Sequence, residues 1–197
     1  MDADAGREDG LRPLAPAELE GLLRQIEPAA RLVPPRLLRR VVRRDAGLGG
    51  FGFRAPQAKS YVIERQPLLE IADRQELGFG PHEPLPDTIL LLERPGFEEL
   101  AAAPGRDILL HVWRRLFHAR IQLALRQRIA AGRLTADQLG QRIGRLGGVV
   151  FEEIRSVLRQ ERFLLPPYDD AGVYVEFAAV YLEFRRFVPT LLCSYFP

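Results

Sequence analysis

Apolar residues recur at helical spacing along most of the chain and at strand spacing in one middle stretch. After Pro16, Leu19, Leu22, Leu23 and Ile26 form a stripe; after Pro34-Pro35, Leu37, Leu38, Val41 and Val42 form a second. Each predicts a short amphipathic helix, the first ending near Pro28 and the second at Asp45-Ala46-Gly47. From Gly96 onward helical patterning is continuous. A short helix over 97–103 is followed by a Pro104-Gly105 break. A long helix over 107–131, capped by Asp107, then carries Leu110, Trp113, Phe117, Ile121, Ala124 and Leu125 as its apolar stripe.

Thr135-Ala136-Asp137-Gln138 has the spacing of a capping box, in which the threonine and the glutamine satisfy each other's backbone amides. The stripe behind it runs Leu139, Ile143, Leu146, Val150, Ile154, Val157. Gly140, Gly144 and Gly148 recur every fourth residue, which suits either a shallow groove for a neighbouring helix or a break after Leu146. Pro166-Pro167-Tyr168-Asp169-Asp170 then punctuates the chain. The last helix, over 173–188, is apolar nearly all round and must lie centrally or at an interface.

Residues 47–94 differ in texture. Two β-rich runs, 60–64 and 88–93, flank a helical segment at 67–77 and a proline-broken loop at 78–86. Periodicity is compatible with a β-α-β unit or a long-looped hairpin, so parallel and antiparallel pairing both stand. The expected fold class is mainly α: an orthogonal or up-down helical domain over 16–197, with a small β-containing insert at about 50–94 and a disordered lead-in at 1–15. Because the C-terminal residues Leu191, Leu192, Tyr195 and Phe196 are apolar, we expect that end to meet a partner or to continue into a longer polypeptide.

With 197 residues, 47% apolar and 27% charged, the chain has enough apolar material for a substantial core, which excludes wholesale disorder and collagen-like repeats. The single cysteine, Cys193, allows no internal disulfide and suits a reducing compartment. The acidic N-terminus lacks the basic and apolar regions of a secretory signal, and no run of about 18 uncharged apolar residues exists. The expected location is cytoplasmic, without a membrane partner.

Acidic and basic residues nearly balance, 26 against 28, and Lys59 is the only lysine. Such a skew reflects codon usage more often than function. One local concentration stands out: residues 31–46 hold six arginines and one aspartate, a balance of +5. Arg36, Arg39, Arg40, Arg43 and Arg44 fall opposite the apolar stripe of their helix, where they are candidate contacts for an anion or nucleic acid. No aromatic residue is interleaved to stack bases. An internal counter-charge is also at hand, since residues 64–100 contain nine acidic and three basic residues.

Chemistry-bearing motifs are sparse. Gly47-Leu48-Gly49-Gly50-Phe51-Gly52-Phe53 resembles the glycine-rich loop of protein kinases over seven residues, but no His-Arg-Asp or Asp-Phe-Gly follows, and a turn-rich connector suits it better. His111 and His118 are seven apart, not the three or four of a helical chelate, and His82 stands alone. Glu153, Glu176 and Glu183 lie on or beside apolar stripes, where buried carboxylates take structural ion pairs or, less often, a metal or acid–base role. Ser60, Ser156 and Ser194 lie in no nucleophile elbow. We therefore expect a non-enzymatic protein-interaction or scaffold module without cofactor or metal, whose partner is another protein or a further domain of the same chain. The alternatives are a nucleic-acid-associated protein using the arginine-rich helix at 36–44, and a metal-dependent enzyme built on the buried carboxylates and histidines.

Overall fold

A computed structural model of the chain describes residues 14–47, 59–166 and 168–196. All but the last two residues of the expected lead-in, and all of the glycine-rich connector except Gly47, lie outside them. The described residues contain nine helices and three strands, so the fold is mainly α with a small mixed sheet. None of these helices is long and apolar enough to cross a membrane. The chain divides into two compact units. The first takes in the described residues up to Val41 and those from Lys59 to Leu116; the second takes in Val42 to Gly47 and the described residues from Phe117 onward.

From the N-terminal side, α1 (Pro16–Ile26) leads to β1 (Ala30–Val33), α2 (Pro35–Asp45), β2 (Ser60–Glu64), α3 (Arg65–Ile71), β3 (Thr88–Glu93) and α4 (Phe97–Ala102), all within the first unit except the end of α2 from Val42 on. Both expected strands form. They pair antiparallel, Val62 opposite Leu90, with α3 and a long loop between them. The sheet also reaches outside the expected insert: β1 pairs parallel with β3, Leu32 opposite Leu92, so β3 is the central strand. Ile89, Leu90, Leu91 and Leu92 are all inaccessible to solvent. Side chains alternate across a strand, so four consecutive buried residues mean that both faces are covered.

β1 went unread because it is four residues long and carries an arginine. Arg31 is nevertheless buried, and nearly all of its guanidinium is engaged. It donates to the carbonyls of Pro28 and Ala30, both at 2.7 Å, pairs with Glu83, and lies 3.9 Å over the ring of Phe79. Only its Nε lacks a partner. Arg74 donates to the carbonyls of Gly80 and Glu83, and Arg94 ties β3 to Glu20 of α1 and to the Leu32 carbonyl. Arginines thus fasten the 72–87 loop and the sheet edge with charge-assisted bonds that stronger strand propensity would otherwise have to replace.

The remaining elements are α5 (Gly105–Ala130), α6 (Ala136–Leu146), α7 (Gly148–Gln160), α8 (Asp170–Phe187) and α9 (Pro189–Tyr195). The buried line of α5 is Ile108, Val112, Leu116, His118, Ala119 and Gln122, whereas Leu110 is exposed, so the expected stripe is rotated from the true one. Two polar residues occupy the buried face, and a count of apolar residues alone misses their phase. The Thr135 capping box forms as expected, with the Gln138 amide 3.3 Å from Thr135 Oγ1 and Gln138 Oε1 3.1 Å from the Thr135 amide. Gly147 ends α6 at φ +89°, which splits the stripe expected to run on to Val157 into two helices.

In the second unit, Phe151, Ile154 and Leu158 of α7 pack with Val173, Val180 and Phe184 of α8. Asp169 caps α8 by accepting from the Gly172 amide at 2.7 Å, and Arg155 pairs with Asp170 at 2.6 Å and donates to the Tyr168 carbonyl. The apolar residues after Val188 form α9, which packs back within this unit. Tyr195 meets Phe184 edge-on at 5.1 Å, and Phe196 meets Phe177 at 5.2 Å.

The glycines of α6 set a test with opposite signs. An added Cβ at Gly144 meets open space, so Gly144→Ala should raise stability by about 0.5–1 kcal/mol through helix propensity. Gly147 has as much room but a left-handed backbone, so Gly147→Ala should lower stability by about 1 kcal/mol. Urea midpoints of the two variants should shift in opposite directions.

Candidate functional site

The helix that carries the sequence-derived site residues forms for plain reasons. Pro35 suits its first turn, no glycine interrupts it, and Arg43 and Arg44 sit at the negative end of its dipole. Leu37, Leu38, Val41 and Val42 are buried, which fixes the rotation of the helix. Arg36, Arg39, Arg40, Arg43 and Arg44 are all exposed. At about 100° per residue they span an arc of about 140° centred opposite the apolar side, and Arg36 to Arg44 cover about 12 Å of axis. Arg36, Arg40 and Arg43 form the crest, with Arg39 and Arg44 on the flanks.

Among the described residues one carboxylate answers this ridge: Glu76 pairs with Arg40 at 2.5 Å, both side chains nearly half exposed. The acidic segment at 64–100 therefore neutralises one arginine of the five. Successive arginines three and four residues apart repel one another by about 0.2–0.5 kcal/mol per pair at low salt. The helix tolerates that repulsion because its opposite face is anchored in the core.

A second cluster is buried in the second unit. His118 of α5 stands between two carboxylates of α8: its Nε2 is 3.2 Å from Glu176 Oε1 and its Nδ1 is 3.0 Å from Glu183 Oε2. Gln122, one turn on, donates to Glu176 Oε2 at 2.5 Å. Glu176 and Glu183 are two turns apart on one face of α8, a spacing that lets one imidazole bridge them. Burial by itself would push the histidine pKa down. The charge and hydrogen bonds of Glu176, joined by those of Glu183, outweigh it and carry the pKa up to about 9. The two carboxylates therefore favour the protonated ring at neutral pH.

This arrangement suits ion pairing better than metal binding, because the two carboxylates address opposite ring nitrogens and share no vertex with them. No group of three or more His, Cys, Asp or Glu among the described residues is placed to hold a metal ion. Glu153 is exposed on α7, His82 is exposed, and His111 faces Glu99 at 3.7 Å near the surface. Cys193 is exposed. A cleft beside α1 and β1, lined in part by Glu20, Arg24, Arg31 and Arg94, has a volume of about 10 Å³, room for roughly one water. Glu83, at the rim of the Arg31 cluster, is held below the usual carboxylate range, first by the Gly80 amide and then by Arg31. Gln122 and Arg31 were missed as organising residues. The only signal for Gln122 was its position one turn after His118.

The histidine cluster makes stability depend on pH in a definite direction. A folded-state pKa raised from 6.5 to about 9 contributes stability that is fully present below pH 6.5 and lost as pH rises through about 9. The shift corresponds to roughly 3 kcal/mol. His118→Ala leaves two carboxylates without their cation and should destabilise the fold by about 3–5 kcal/mol at pH 7. The same substitution should remove the loss of stability between pH 7 and 10, measured by urea unfolding.

Comparisons with protein families, with curated proteins and with solved structures returned no match for this chain.

Proposed function

We propose that this chain is a non-enzymatic interaction module that presents the arginine ridge of α2 to an anionic surface of a partner. The observation that carries this is the pairing of a buried apolar face with an exposed ridge of five arginines, of which one is answered among the described residues, Arg40 by Glu76. Guanidinium groups bind carboxylates and phosphates bidentately, and an array of them fixed on a rigid helix is arranged before the partner arrives. The buried ionisable groups of the second unit support the same reading. His118 is held as a cation by two carboxylates, so it is committed to structure and poorly suited to accept a proton from a substrate.

The test is retention on a polyanionic resin with a salt gradient. The wild type should bind at low salt, and the variant with Arg36, Arg39, Arg43 and Arg44 all changed to Gln should pass through or elute far earlier. A control with Arg128, Arg133, Arg145 and Arg185 changed to Gln loses the same charge from other exposed positions and should stay close to the wild type. Equal elution of the two variants would reject the ridge as the binding face.

A further inference from the structure

We infer that the anionic partner of the α2 ridge is duplex DNA, with the helix seated in the major groove; this rests on the interaction-module reading above. The ridge is convex. Its crest, Arg36, Arg40 and Arg43, lies within an arc of about 60°, while Arg39 and Arg44 diverge from each other by about 140°. A flat acidic protein surface meets the crest and leaves the flanks in water. A groove with negative charge on both walls meets all three lines at once.

Dimensions select the groove. A helix with its side chains is about 10–12 Å across and the major groove of B-form DNA is about 12 Å wide, whereas the minor groove, at about 6 Å, is too narrow. The deep, narrow major groove of A-form RNA also excludes a helix. In the B-form groove Arg39 and Arg44 reach phosphates on opposite walls, and the crest arginines face base edges, where a guanidinium matches the O6 and N7 acceptors of guanine. The ridge of about 12 Å spans three to four base-pair steps of about 3.4 Å.

Sequence and burial agree with this assignment. Pro35–Asp45 contains no aromatic residue, so the helix has no platform for the stacked bases of a single strand. Leu37, Leu38, Val41 and Val42 hold the helix from behind, so the arginines face outward as a rigid set. The Arg40–Glu76 pair is exposed, and the base-edge acceptors of a guanine can take the place of the carboxylate.

Fluorescence anisotropy of the full chain against four labelled probes tests the assignment: a mixed-sequence DNA duplex, one of its single strands, the corresponding RNA duplex and polyglutamate. The DNA duplex should bind about tenfold or more tighter than each of the others. Its log affinity should fall with log salt at a slope of about −2 to −4, as expected for two to four phosphates neutralised. The double variant Arg39→Gln, Arg44→Gln should lose about tenfold in duplex affinity while its thermal unfolding is unchanged, since both side chains are exposed. Polyglutamate, single strand or RNA binding as tightly as the duplex would overturn the DNA assignment and leave an anion-binding module standing. Duplex binding that survives the double variant would overturn it too. Failure of all four probes to bind at low salt would remove both the assignment and the interaction-module reading.

Discussion

A charge taken out of water must meet an opposite charge or give up its ionisation, and that constraint separates the buried ionisable groups described here from the arginines of α2. The buried set is answered from within. Arg31 meets Glu83, the carbonyls of Pro28 and Ala30 and the ring of Phe79, and His118 meets Glu176 and Glu183. On α2, whose opposite face is buried, Glu76 answers Arg40, and among the described residues the other four arginines face solvent. Five arginines within eleven residues are tolerable there because water screens them, and they gain most from a partner that brings matching negative charge.

The two buried clusters do different work in their own units. Around Arg31, charge-assisted bonds fasten a strand of four residues and a loop rich in proline, neither of which has much local propensity to form. Around His118, the imidazole and Gln122 of α5 tie that helix to Glu176 and Glu183 of α8. An apolar replacement of equal shape could bind those helices as tightly, but an ion pair with hydrogen bonds also fixes their register, since Nδ1 and Nε2 accept only one placement of Glu176 and Glu183. A single helix face carrying carboxylates seven residues apart thereby specifies which turn of α5 it lies against.

Helices were legible where local rules decide them. The Thr135–Gln138 capping box, the prolines before α1 and α2, and the apolar helix behind Asp169 all announced themselves. Features set by tertiary partners did not. β1 exists because β3 offers it a parallel edge and because Arg31 finds Glu83, fifty-two residues away. The face of α5 was misphased because His118 and Gln122 are buried through partners on α8 that no window along α5 contains. The break at Gly147 was one of two readings of a glycine repeat, and its positive φ settles which one the chain adopts. The α2 arginines lie on the exposed face, as their spacing opposite the apolar stripe implies; of the carboxylates, Glu176 and Glu183 flank His118 and Glu153 is exposed.

Internal matching of the buried ionisable groups is tested most directly by a pH titration of the His118 ring by nitrogen-15 NMR. The ring should be protonated on both nitrogens at pH 7, with a titration midpoint near 9. A neutral ring at pH 7, with a midpoint at or below the ordinary histidine value of about 6.5, would contradict it.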